Sequence, residues 1–220
     1  MYDKYIIRMS NYIIELYKAR KNLLTYLKMQ NFDTDAHETF TMNEIQAMYE
    51  SQTDDGMSSL DFEVLNKSNS SKKVSVFYYM KPSSIKQNTL EEMVMSFYEE
   101  NNKDDATFIL LMQGNLNETV QKSIINLWKK FKEYVIVFEI RSLQFNVFDH
   151  KYVPNHTKMT IQEKETLYKF KNISSDVQMP EISVFDPVAK ALLMKPGEVC
   201  KIERFDKIAF ESVFYRLCVI

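Results

Sequence analysis

Apolar residues recur at helical spacing from residue 8 to about residue 30. Tyr12, Ile13, Leu16, Leu23, Leu24 and Leu27 share one side of that helix, and Lys18, Arg20 and Lys21 form its charged interruption. Thr41-Met42-Asn43-Glu44 carries the capping-box pattern, in which a hydroxyl and a carboxylate satisfy each other's free backbone amides, and predicts a second, short helix. Residues 51–59 are polar with one glycine and read as a loop. Leu60, Phe62 and Val64 then alternate with Asp61 and Glu63, and Val74, Val76 and Tyr78 repeat the alternation less cleanly, so the two segments predict a hairpin. Helical spacing returns over 88–100, where Leu90, Met93, Val94 and Phe97 align. Residues 107–112 are continuously apolar, as in a strand buried on both faces, and residues 134–140 repeat that character after a helix capped by Asn117. Strand, helix, strand, helix, strand in alternation predicts a layered α/β domain.

From about residue 146 the pattern changes. Asp149 to His156 is polar and aromatic, and Thr160-Ile161-Gln162-Glu163 is another capping box that opens a helix to about Lys171. Met179-Pro180-Glu181-Ile182 follows a break at residues 174–176. Asp186-Pro187-Val188-Ala189-Lys190 places a capping carboxylate before a proline at the first helical position, where its missing N–H costs nothing. That helix must be short, because Pro196-Gly197 follows, and residues 198–204 and 213–219 predict an antiparallel pair. The boundaries expected are an α/β domain at 1–145 and a small α+β domain at 146–220.

Composition narrows the function classes. The 220 residues are 45% hydrophobic and 26% charged, an ordinary globular mixture. No apolar run reaches the roughly 18 residues of a membrane span, and residues 1–5 lack a secretory apolar region, so neither membrane contact nor secretion is expected. Cys200 and Cys218 fit a reducing compartment, and without Cys-x-x-Cys neither they nor His150 and His156 predict a zinc site. A net charge of −2 lacks the cationic excess of an autonomous nucleic-acid binder. No Gly-rich phosphate loop, Gly-x-Ser-x-Gly or His-Glu-x-x-His occurs, and Asp61, Glu63 and Glu139-Ile140-Arg141 do not complete a magnesium-binding Asp…Glu-x-Lys set. No catalytic residues, metal or cofactor are therefore expected.

Val153-Pro154-Asn155-His156, Thr160 to Glu163, Met179 to Ile182, Asp186 to Lys190, Gly197-Glu198-Val199-Cys200-Lys201-Ile202-Glu203-Arg204 and Tyr215-Arg216 together resemble the fifth subunit of eukaryotic DNA-directed RNA polymerases. The C-terminal half of that subunit is similar to its short archaeal counterpart, which lacks the jaw. Leu16 to Lys21 and the strand ending at Gly114 resemble, less closely, the N-terminal jaw domain of the eukaryotic form. The resemblance implies a restriction-endonuclease-like α/β jaw followed by an assembly domain. It also implies a non-catalytic subunit that docks on the largest polymerase subunit and helps form the downstream DNA cleft. The alternative from another class is a free-standing nuclease-like DNA-processing or interaction protein.

Partner-binding residues implied by the resemblance are Val153, Pro154, His156, Pro180, Asp186, Pro187, Gly197, Arg204, Tyr215 and Arg216. Arg204 and Arg216 stand on otherwise apolar strands and need acidic or carbonyl partners, either in the largest subunit or internally from Glu181, Asp186 or Glu203. Gln113, Gly114, Asn115, Asn117 and Lys122 surround a strand-to-helix turn that resembles the DNA-proximal loop of the jaw, with duplex contact expected only within the complex. No small-molecule ligand is expected. The sequence departs from the family pattern at Arg204-Phe205-Asp206, at Ile208-Ala209-Phe210 and at Leu193, which replaces a family glycine. These departures, with only three glycines against an abundance of Lys, Asn, Ile, Met, Tyr and Phe that suggests an AT-rich genome, point to a large-DNA-virus homologue, found in virions and infected-cell cytoplasm. A cellular homologue would be nuclear.

Overall fold

The computed structural model describes residues 2–51, 59–81, 83–206 and 210–220. They fall into two compact units, Met1–Phe145 and Asn146–Ile220. Most of the loop expected over residues 51–59, and the centre of the turn between Phe205 and Phe210, lie outside the described residues.

The first unit opens with α1 (Tyr2–Met29), α2 (Asp35–Glu38) and α3 (Met42–Glu50). Thr41 and Glu44 form the expected capping box at α3. The antiparallel pair β1 (Phe62–Leu65) and β2 (Lys73–Tyr79) follows. Then come α4 (Gln87–Glu100), β3 (Ala106–Met112), α5 (Glu118–Phe131) and β4 (Val135–Glu139). The sheet order is β1-β2-β3-β4, with β2, β3 and β4 parallel. Two successive β-α-β crossovers of one hand carry α4 and α5 to the same face, where they pack together. Phe77 stacks on Phe108 at 4.6 Å between ring centres, and Phe97 of α4 meets Phe108 edge-on at 5.2 Å. α1 covers the opposite face, with Tyr26 6.4 Å from Phe138. All seven residues of β3 are buried, which is why Phe108 to Met112 form an unbroken apolar run rather than an alternation.

The second unit contains β5 (Asn155–Lys158), α6 (Ile161–Phe170), β6 (Glu181–Ser183), α7 (Pro187–Ala191), β7 (Val199–Asp206) and β8 (Phe210–Val219). Its sheet order is β5-β7-β8-β6. β5 and β8 run antiparallel to β7, and β6 runs parallel to β8. Leu167 of α6, Met179, Val199 and Leu217 form the core on one face. The other face carries Ile182, Cys200, Ile202 and Cys218, all buried, and residues 188–194 lie over it, with Lys158 Nζ reaching Leu193 O at 3.4 Å. Both expected helix starts are present: Thr160 and Glu163 cap α6 reciprocally, and Asp186 caps α7 with Pro187 in its first turn.

α7 ends in a Schellman motif. Leu193 N donates to Lys190 O and Met194 N to Ala189 O, which requires a left-handed residue at Leu193, found at φ 52°. A side chain there costs about 1–2 kcal/mol. Leu193 is only 5% exposed, and burying a leucine returns about 1.5–3 kcal/mol. The backbone thus keeps the conformation that glycine would favour and fills the space with an apolar side chain. Leu193→Gly should relieve the strain yet lower stability by about 1 kcal/mol, because lost burial outweighs it. Urea denaturation checks this, and a more stable variant would refute it.

Candidate functional site

The register of the C-terminal sheet decides which predicted residues share a face. His156 pairs with Ile202 and Cys200 with Arg216, so side-chain alternation puts His156, Arg204 and Arg216 on the face covered by α7. Asp186 lies at the start of α7, with Oδ1 accepting Val188 N at 2.8 Å. Its carboxylate and both guanidinium groups act electrostatically on the His156 ring. His156 Nδ1 lies 2.7 Å from Pro154 O, and since a carbonyl only accepts, Nδ1 carries the proton. Val153 and Pro154 lead directly into β5, and Val153 N closes a turn onto His150 O at 2.9 Å.

Neither arginine is paired with a carboxylate among the described residues. Arg216 Nη1 donates to the backbone carbonyl of Glu181 at 3.3 Å, and the Arg204 guanidinium lies 4.9 Å from the Phe214 ring centre. Glu203 is instead engaged by Lys201 at 2.7 Å and Asn155 at 2.9 Å. Tyr215 points to the opposite face and packs beside the α6 core. Pro180 is exposed, and its carbonyl accepts Leu217 N at 2.8 Å. Gly197 has φ +92°, so its turn favours glycine by backbone conformation rather than by space. Cys200 and Cys218 are buried, and burial pushes the Cys218 thiol up to about 12, which keeps it protonated.

The strand ends carry a feature that periodicity did not single out. Phe205 is 86% exposed, Phe210 77% and Phe214 47%. Phe205 and Phe214 fall on opposite faces of the β7–β8 ribbon. The sequence signal was the mixed character of Val213-Phe214-Tyr215, apolar on both faces where a half-covered strand would alternate.

In the N-terminal unit, the turn between β3 and α5 is closely packed. A side chain at Gly114 would meet the backbone of Ser83 and Ser84 at 3.1 Å. Asn117 Oδ1 caps Val120 N at 2.9 Å, Asn115 O accepts the Ser84 hydroxyl at 2.9 Å, and Gln113 leaves its buried Oε1 without a partner among the described residues. Lys122 is exposed and 3.9 Å from Glu118. Leu116 N donates to Glu139 Oε1 at 2.5 Å, so this amide already holds an internal anion. Asp61 and Glu63 also have structural duties: Asp61 accepts Tyr78 N at 2.8 Å, and Glu63 accepts the Ser75 hydroxyl at 2.7 Å and pairs with Lys73 at 3.2 Å.

Residues 145–218 match the family described as RNA polymerase Rpb5, C-terminal domain. "DNA-directed RNA polymerase subunit Rpo5" of the archaeon Archaeoglobus fulgidus is 43% identical over 77 residues, which is 35% of this chain and 100% of that protein. The chain belongs to the Rpb5 family. "DNA-directed RNA polymerase V subunit 5A" of Arabidopsis thaliana is 25% identical over 218 residues, covering 99% of this chain and 93% of that subunit. "DNA-directed RNA polymerases I, II, and III subunit RPABC1" of Caenorhabditis elegans is 30% identical over 146 residues, covering 64% of each chain. Every partner-binding residue expected from the sequence lies within the matched Rpb5 segment.

Burial lowers the His156 pKa, and Arg204 and Arg216 lower it further against the opposing Pro154 bond and the Asp186 charge. A lowered folded value means that the unfolded chain binds the proton first. The contribution is therefore complete above the unfolded value, about 6.5, and is lost as pH falls through it towards the folded value. Denaturation curves between pH 8 and pH 5 should show a steeper loss for the wild-type protein than for His156→Gln. Equal slopes would overturn this assignment.

Proposed function

We propose that this Rpb5-family chain is a non-catalytic subunit of a multisubunit DNA-directed RNA polymerase. Its C-terminal unit serves as the assembly domain, and its N-terminal unit serves as a jaw with a restriction-endonuclease-like α/β core. The observation that carries the division of labour is the archaeal match. A polymerase subunit covered over its whole length by 77 residues of this chain supports the reading that a module of this size is enough for incorporation.

The docking face we infer for the largest subunit comprises the start of β5, the N-terminus of α7 and the β7–β8 ribbon. Two exposed guanidinium groups without carboxylate partners among the described residues, beside exposed Phe205, Phe210 and Phe214, offer charge and apolar area together. Aromatic and arginine side chains in that combination typically anchor protein interfaces. The N-terminal unit then contributes to the downstream DNA cleft as part of the assembled enzyme. Glu118 and Glu139 at the β3–α5 turn make tight duplex binding by the isolated chain unfavourable. In a large DNA virus the subunit would reside in virions and infected-cell cytoplasm, and in a cell with a nucleus it would be nuclear.

Native co-purification tests the reading. The chain should emerge with two large polymerase subunits encoded by the same genome, and a native monomer without them would defeat it. Arg216→Glu and Pro187→Ala should each reduce incorporation, by about tenfold for the charge reversal, equivalent to ~1.4 kcal/mol. Folding stability should fall by no more than about 1 kcal/mol, since both side chains are exposed and the loss of proline's fixed φ costs ~0.4–1 kcal/mol. Normal incorporation of both variants would move the docking face elsewhere.

A further inference from the structure

Arg20 stands on the buried stripe of α1 and is 3% exposed. Nη1 donates to Leu60 O at 2.9 Å and to the Tyr78 hydroxyl at 3.0 Å, and the guanidinium lies 4.4 Å from the Phe62 ring centre. These partners are neutral, and no carboxylate reaches the group among the described residues. Its Nε is buried without an acceptor, and Nη2 makes no hydrogen bond among the described residues either. Nε and Nη2 form the side edge of the guanidinium, the fork that binds a carboxylate through two parallel hydrogen bonds.

That arginine lines a cavity of about 250 Å³ between α1, α2 and α3, with Tyr17, Leu24, Phe40 and Ile45 as apolar walls. His37, on the same wall, leaves its buried Nδ1 without a partner among the described residues, although its ring also bonds the Glu63 backbone. Lys21 adds a second positive charge. Glu38, the carboxylate of the lining, is held by Lys28 at 2.9 Å and by the Thr34 hydroxyl at 2.6 Å. The cavity opens to solvent beside Lys21 and Lys28, so a ligand can enter it from outside. A buried cation without a counter-ion is costly, and ring contacts offset only part of that cost.

We propose that this cavity binds a carboxylate on a small apolar body, either a free organic acid or a glutamate side chain of a bound polypeptide. The proposal is independent of the polymerase assignment and departs from the expectation of no small-molecule ligand. The apolar walls favour such a group over inorganic phosphate, which would surrender strong hydration on entry.

Nuclear magnetic resonance titration of the full chain tests it, with sodium propionate, sodium benzoate, sodium phosphate, the acetylated and amidated tripeptide Ala-Glu-Ala and its glutamine counterpart. We expect saturable shifts confined to α1, α2 and α3 with at least one carboxylate probe, and binding at least tenfold weaker for the glutamine peptide and for phosphate. Saturation by the free acids alone assigns a small-molecule site, and saturation by the glutamate peptide alone assigns a peptide site. Arg20→Lys, which keeps the charge but loses the fork, should weaken binding at least tenfold. Lys21→Gln, on the exposed surface, should weaken it about threefold without disturbing the fold. No saturable carboxylate binding to the wild-type chain, or equal binding of the glutamate and glutamine peptides, would overturn the proposal. Phosphate binding as tight as carboxylate binding would overturn it too.

Discussion

Every residue of β3 is buried, so the strand needs an apolar layer against each of its faces. Much of the N-terminal unit follows from that demand: α1 covers one face, and the two crossover helices cover the other. The C-terminal unit meets the same demand only in part. Val199, Cys200, Ile202, Leu217 and Cys218 are enclosed between the α6 core and residues 188–194. Beyond Ile202 the strands continue while the cover stops, and Phe205, Phe210 and Phe214 reach solvent. A strand longer than its cover leaves a two-faced ribbon with exposed aromatic side chains on both faces.

What was legible in the chain was whatever could be encoded locally. Thr41 with Glu44 and Thr160 with Glu163 each need only four consecutive residues, and both capping boxes form as expected. The unbroken run within β3 announced burial on both faces. Elements without such a signature stayed hidden: α2 has four residues and β6 three, too short for either period to show. Leu193 is a further case. Its left-handed backbone is set by the end of α7 and by space in the core, so the residue type alone gave no sign of it.

Arg20 shows how a local reading can mislead. Beside Lys18 and Lys21 it looks like part of a solvated charged segment. Four residues after Leu16 and three before Leu23, however, it falls on the apolar stripe of α1. Helical position wins over composition, and the guanidinium ends among Phe62, Tyr78 and Phe40. The residues proposed for docking illustrate the opposite case. They came from motif order along the chain, and only the strand register revealed that His156, Arg204 and Arg216 share a face while Tyr215 does not.

The three arginines differ in what their surroundings ask of them. Arg216 and Arg204 keep water at the guanidinium, so a carbonyl or a ring is enough and little free energy is at stake before assembly. Arg20 has no such reserve. Its charge is removed from water, its Nη1 is satisfied, and its remaining edge faces no anion among the described residues. Stability alone would favour a neutral side chain of similar volume at that position, because a buried charge is seldom the cheapest way to fill a core. A guanidinium there, with its carboxylate-binding edge unmatched among the described residues, is better explained by something it binds than by anything it packs against.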